Sequence, residues 1–344
     1  MTAATLPRVP GNRDPRVSRG RRVAGSPALR LIVKRVLMAI PIIIGVTILA
    51  SWVLSLIPGN AAQQLLGPQA TPEDIALLEE QLGLNESGVS RYLDWLGGAV
   101  TGDLGQSVVS GQEVSDLLAE RLPVSGELVG LAFVVSLLVA LPVALFAAHR
   151  PNGVFDRISM VISTVGLSVA NYVLALILVL IFAVQLGWLP AIGYTPLSEG
   201  LWANLEGMIL PSAAIGIPLF CFYTRFLRGD LVDQMQQEEY VTTARAKGVG
   251  SWQVLLRHAF RNSSFGLITV VGLNLGALIG GTVIVESIFA LPGIGQMLLQ
   301  AINTRDFIVV QAVVVVFAVV AVVANLIVDL LYVLLDPRIR YGSR

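Results

Sequence analysis

The sequence predicts an all-α membrane protein with six transmembrane helices and both termini in the cytoplasm, and three observations lead there. The first is composition: of 344 residues 55% are apolar and only 13% charged, where soluble domains carry about 25% charged residues, and the mean hydropathy is +0.75. The second is length of run. Crossing about 30 Å of hydrocarbon at about 1.5 Å per residue takes roughly 20 mainly apolar residues, and six stretches supply them, Val36–Ile57, Leu128–Ala148, Ile158–Leu186, Met208–Phe226, Phe265–Val285 and Phe307–Leu335. The third is charge placement: 20 of the 23 lysines and arginines fall on one side of this pattern, leaving only Arg91, Arg121 and Arg305 on the other. Lysine and arginine accumulate on the cytoplasmic side, so both ends of the chain face the cytoplasm.

Each element follows from local signals. Residues 1–30 hold seven arginines and four prolines and read as a disordered basic cytoplasmic tail, suited to anionic lipid. The first transmembrane helix is expected over 31–57. Its apolar run of about 22 residues exceeds the 7 to 15 of a signal sequence and lacks a small-residue cleavage site, so it is retained. Residues 58–125 form an extracytoplasmic helical cap loop with ten acidic and two basic side chains. Thr71, Pro72, Glu73 and Asp74 read as a helix start, with a stop at Gly83. A second short helix is expected around Tyr92–Trp95 and a third over Glu113–Arg121. Residues 126–344 form a five-helix core with a cytoplasmic loop over about 229–262. Pro211 and Pro218 interrupt the fourth span.

Composition also excludes chemistry. A single cysteine, Cys221, forbids an internal disulfide, and two histidines more than a hundred residues apart, His149 and His258, offer no metal cluster. They read as structural, and no metal ligand is assigned. Neither Lys34 nor Lys247 has the Gly before and Ser or Thr after that a phosphate-binding loop requires. There is no GxSxG elbow, no HExxH and no pair of carboxylates within a span, so no catalytic residue is assigned and an intramembrane enzyme is disfavoured. An ion-coupled carrier would place acids near mid-membrane in broken helices with internal repeats, and neither is clear here.

Polar groups inside the spans are the default functional candidates. Asn171 and Asn274 are nominated for the pathway, although amides in bundles also bridge helices. Glu286, followed by Pro292, Gly293 and Gly295, suggests a chain reversal at the outer mouth, and the residue could be structural or could meet substrate. Asp329 is expected to pair with Arg225 or Arg228. Gly272, Gly276 and Gly280 recur every four residues and let another helix approach closely.

The cytoplasmic loop carries a pattern: Glu239, Tyr240, Val241, Thr242, Thr243, Ala244, Arg245, Ala246, Lys247 and Gly248, then Trp252, Leu255, Leu256, His258, Arg261 and Asn262. This run resembles the cytoplasmic signature loop of ATP-binding cassette importer permeases, in the dipeptide, oligopeptide and nickel branch. In chain order the same branch is matched by Leu66–Pro68, Gln81–Leu84, Tyr92–Gly97, Asp103–Ser107, Leu118–Pro123, Val285–Gly295, Asp329–Tyr332 and Asp336–Tyr341. Two positions depart from it: Thr242 stands six residues before Gly248 where the signature has Glu, and Asn60 stands where the branch has Asp.

The resemblance implies a type I importer permease fold in the cytoplasmic (inner) membrane of a prokaryote. It implies a second, similar permease, two ATPase subunits that bind ATP and Mg2+, and an extracytoplasmic binding protein, with no cofactor or nucleic acid on this chain. Thr243, Ala244, Arg245, Ala246, Lys247 and Gly248 would couple to the ATPases, and Asp103, Gln106 and Ser107 would meet the binding protein. The substrate would be a di- or oligopeptide, or alternatively a nickel chelate or another small solute.

Overall fold

The computed structural model of the chain describes residues 27–56, 62, 66–67, 70–81 and 87–335. The basic tail before residue 27, the Pro58–Gly59 end of the first span, Asn60, the stop at Gly83 and the Asp336–Tyr341 motif lie outside them.

The described chain is built of helices: α1 (Pro27–Ser55), α2 (Pro72–Gln81), α3 (Gly88–Thr101), α4 (Val114–His149), α5 (Val154–Ser168) and α6 (Asn171–Leu178), which runs on as a π-helical segment to Gln185. Then come α7 (Leu201–Gln237), α8 (Glu239–Ala246), α9 (Ser251–Val254), a π-helical segment Leu255–Ala259, α10 (Phe260–Ile288), α11 (Ile294–Thr304) and α12 (Phe307–Leu335). Among the described residues four helices are long and apolar enough to cross a membrane, α1, α4, α7 and α12, and two bent pairs bring the number to as many as six.

The short helices start where their caps direct. Thr71 Oγ1 accepts from the Asp74 amide at 3.2 Å and Asp74 Oδ2 accepts from the Thr71 amide at 3.3 Å, a reciprocal capping box with aspartate at the third position. Ser87 caps α3 by accepting from the Ser90 amide at 3.2 Å, and Gly102 ends it at φ +94°, the left-handed conformation that glycine adopts without a Cβ penalty.

The long elements depart from expectation in instructive ways. No separate helix covers Glu113–Arg121, because those residues are the opening turns of α4, which runs unbroken for 36 residues. The fourth span is not interrupted either: α7 continues for 37 residues through Pro211 and Pro218, since packed neighbours can re-satisfy the backbone groups a proline frees inside a membrane helix. The third span is the opposite case. It is broken between Ser168 and Asn171, and its halves meet at 104°. The fifth also bends, by 60° between Gly276 and Gly280.

Packing holds the broken third span to α7 at two points. A Cβ on Gly166 would overlap the Cys221 sulfur, so the missing side chain is what lets α5 close onto α7. At the other end of α5 the buried Asp156 carboxylate receives Arg228 of α7 through Nε at 2.8 Å and Nη2 at 2.5 Å, and also accepts the Asn152 amide at 2.7 Å. Arg228 is therefore taken, and Asp329 pairs instead with Arg35 of α1 at 2.6 Å. That replaces the expected partners Arg225 and Arg228 with a residue from the far end of the sequence. The glycine ridge of α10 packs within the chain: a Cβ on Gly272 would overlap Val328 of α12, Gly276 faces Ala321 at 3.9 Å, and Gly280 meets open space.

Removing one partner of a buried ion pair strands the other charge, at a cost of about 3 kcal/mol or more. Arg228→Met is expected to lower the melting temperature of the detergent-solubilised protein markedly, and Asp156→Asn combined with Arg228→Met to restore part of the loss. An unchanged melting curve for the single variant would show that the pair carries no stability.

Candidate functional site

The break in the third span and the bend in the fifth open onto one cavity. It holds about 280 Å3 and is lined by Leu167 and Asn171 on either side of the first break, by Asn274, Leu278 and Gly281 around the second bend, and by Ile215, Pro218, Leu219 and Phe222 of α7. Asn171 and Asn274, distant in sequence, thus meet at the same space. None of these lining residues is charged. Asn274 donates to the Val270 carbonyl at 2.9 Å, one turn back in its own helix, which leaves its carboxamide oxygen as an acceptor. Chemically the cavity offers amide groups and hydrocarbon, a wall suited to a polar but uncharged backbone.

Glu286 lies elsewhere, at the end of α10 where the chain reverses into α11. It is fully buried, and its carboxylate accepts the Ser125 hydroxyl at 2.7 Å and the Gln296 amide at 3.1 Å. Ser125 in turn accepts the Ile294 amide at 2.8 Å. The carboxylate therefore satisfies the orphan amides that begin α11 and ties them to α4. The glycines around it leave the room: a Cβ on Gly293 would overlap the Glu286 carboxylate, and one on Gly295 would stand 2.6 Å from the Val283 Cα. Glu286 does not line the cavity, and its geometry is that of a clasp.

At the same end of the molecule a second buried acid organises the 103–113 segment. Asp306, immediately before α12, accepts the Ser107 hydroxyl at 2.5 Å and the Val309 amide at 3.3 Å. The Ser107 hydroxyl thus points inward, whereas Asp103 and Gln106 stand exposed beside it. Asp306 is missing from the sequence expectations, although an aspartate just before an apolar helix is a readable N-cap signal. Nearby, the Tyr194 phenol donates to Glu127 of α4 at 3.0 Å. Burial and then the carboxylate push its pKa up to about 12, so it remains a donor at every physiological pH.

The opposite end carries the patterned loop. α8 and α9 are joined by Gly248 at φ +79°, a conformation that favours glycine. Thr243, Arg245, Ala246, Lys247 and Gly248 are exposed, while Ala244 turns inward with Val241. Those two belong to one continuous core with Leu227, Leu231, Val232 and Met235 of α7 and Val254 and Leu255 behind α9. Tyr240 joins three elements at once, since its hydroxyl donates to Gln234 of α7 and accepts from Asn262 of α10, the latter at 2.9 Å. His149 stacks on Trp252 with ring centroids 4.2 Å apart, tying α4 to α9. No sequence signal marks Gln234 or Asn262 for this role, because their partners are set by the fold.

Comparison with known proteins places this architecture. The profile described as binding-protein-dependent transport system inner membrane component matches residues 140–341, and that for the N-terminal part of such membrane components matches residues 28–129. A putative peptide transport system permease protein of Brucella abortus is 39% identical over 90% of this chain and 99% of its own length. The dipeptide transport system permease protein of Alkalihalophilus pseudofirmus is 37% identical over 91% of this chain and 100% of its own. The oligopeptide transport system permease protein of Bacillus subtilis is 36% identical over 90% and 99%. The chain therefore belongs to the binding-protein-dependent inner membrane component family, the membrane permease subunits of ATP-binding cassette transporters.

Proposed function

We propose that this chain forms half of the translocation pathway of a type I importer for di- or oligopeptides, paired in the inner membrane with a second homologous permease. Peptide follows from the names of the relatives and from the chemistry of the cavity: two carboxamides and no charged side chain at the helix breaks can exchange hydrogen bonds with main-chain amides whatever the peptide's sequence. The six crossings of this reading are α1, α4, the α5–α6 pair, α7, the bent helix ending in α10, and α12. Both termini lie in the cytoplasm, on the strength of the lysine and arginine count.

The observation that carries the reading is the mechanical continuity between the loop and the cavity. α8 shares a hydrophobic core with α7, and Tyr240 hydrogen-bonds both α7 and α10, the two helices that further along supply seven of the residues around the cavity. A short helix seated in an ATPase groove then transmits closure of the ATPases, which hold the ATP and Mg2+, as a rigid-body displacement of both walls. Arg245, Lys247 and Gly248 form the exposed tip of that contact with Thr243 and Ala246, and Ala244 roots it. On the outer side Asp103 and Gln106 are offered to the binding protein, with Ser107 holding their loop through Asp306. The chain itself performs no chemistry on the peptide.

Two substitutions test this arrangement in the assembled transporter reconstituted in liposomes. Gly248→Trp is expected to abolish peptide uptake while the binding protein retains its affinity for peptide; retained uptake would remove the tip from the mechanism. Tyr240→Phe keeps the ring and removes both hydrogen bonds. It is expected to leave ATP hydrolysis near normal and lower the peptide imported per ATP severalfold, and an unchanged ratio would show that Tyr240 transmits nothing.

A further inference from the structure

α3 presents three faces, and only two of them are explained by the fold and the aqueous loop. At 100° per residue Tyr92, Trp95 and Ala99 share one side. Trp95 is buried there, and the Tyr92 hydroxyl meets Thr47 Oγ1 of α1 at 2.8 Å. Ser90, Asp94 and Thr101 form a second, polar side. The third is wholly apolar and turned out of the protein: Val89, Leu93 and Val100 are 70%, 58% and 81% exposed.

The Tyr92–Thr47 contact fixes how deep this helix sits. Thr47 lies five residues before Trp52, about 8 Å along the helix axis. Trp52, Trp188 and Trp202, 60%, 66% and 80% exposed, stand at the same end of α1, of the third span and of α7, where an aromatic belt marks the membrane interface. The Tyr92 hydroxyl therefore reaches about 8 Å below the tryptophan level, and α3, one tyrosine side chain away, is held within the roughly 5–10 Å at which interfacial amphipathic helices lie. On α1, Ile48 and Leu49 next to Thr47 are themselves 49% and 57% exposed, so both helices expose apolar side chains where they meet.

We propose that α3 is an interfacial helix laid in the outer leaflet, with Val89, Leu93 and Val100 in the acyl chains and Ser90, Asp94 and Thr101 at the headgroups. Lipid is the occupant because the stripe is uncharged and α3 is tied to a spanning helix below the aromatic belt, where that helix exposes apolar residues of its own and a soluble receptor would displace lipid from it. The lipid contact also sets the height of the 103–113 segment. Gly98 packs so closely on the Asp103 carbonyl that a Cβ would stand 2.9 Å from it, and the Arg91 guanidinium lies 5.8 Å over the ring of Phe307 at the start of α12. Asp103 and Gln106 are thereby presented from a platform anchored in both lipid and the last span. The choice of leaflet rests on the orientation proposed above, whereas the depth does not.

The test places a bimane label on Leu93→Cys, Val100→Cys or Asp94→Cys, each in a Cys221→Ala background, in the assembled transporter in nanodiscs. Acyl-brominated lipid is expected to quench most of the emission at positions 93 and 100 and little at 94, with aqueous iodide showing the reverse. Iodide quenching at 93 and 100 as strong as at 94 would overturn the proposal. So would shielding of 93 and 100 from iodide that appears only when the binding protein is added, which would make the stripe a receptor contact. In sealed vesicles, labelling of Asp94→Cys by an impermeant maleimide added from outside tests the orientation separately, because lipid quenching is the same in either leaflet.

Discussion

Inside a bilayer the backbone has no water to turn to, so every N–H and C=O must find a partner within the protein or face a polar cavity. That constraint governs the centre of this molecule. The third span stops helical pairing between Ser168 and Asn171 and the fifth bends between Gly276 and Gly280, and both irregular segments border the same space. In the flanking turns the Ser168 hydroxyl donates to the Thr164 carbonyl at 2.9 Å and the Asn274 carboxamide to that of Val270 at 2.9 Å. On the function proposed above, the break borders the pathway and the unbroken α12 does not.

Around that compliant centre the structure is stiff. Asp156 with Arg228 fixes α5, the first half of the broken span, to α7 at one end, and the Gly166–Cys221 approach fixes it at the other. Glu286 and Asp306 act alike at the opposite end: each is a buried acid whose oxygens are met by hydroxyls and helix-start amides. Such an acid binds together segments far apart in sequence, and removing it would leave several donors unmet in a dry environment. The patterned cytoplasmic loop is attached to this frame through the core that α8 shares with α7 and through Tyr240.

Much of this was legible in the residues. Hydropathy located the runs that form the four long apolar helices and the two bent pairs, the Thr71 capping box obeys local rules, and Asn171 and Asn274 could be nominated because polar groups in spans are costly. What escaped was non-local. The break after Ser168 carries no proline or glycine at Val169 or Ala170 to announce it, while Pro211 and Pro218, which do look like breakers, are absorbed by packing. The partners of Arg228 and Asp329 were misassigned because proximity in the span order does not fix which face an arginine leaves its helix on. Ser107 was expected at the binding-protein contact and its hydroxyl instead faces Asp306, 199 residues away, a relation that local sequence cannot express.

The claim on which the account depends is that displacement at the cytoplasmic loop changes the cavity. Spin labels on Leu167→Cys and Gly281→Cys in a Cys221→Ala chain, within the complete transporter, report the distance across that cavity by pulsed electron resonance. Trapping the ATPases with ATP and vanadate is expected to shift the distance distribution, and the shift should vanish when Gly248→Trp is added. A distribution identical in the nucleotide-free and trapped states, in a transporter that still imports peptide, would contradict the account.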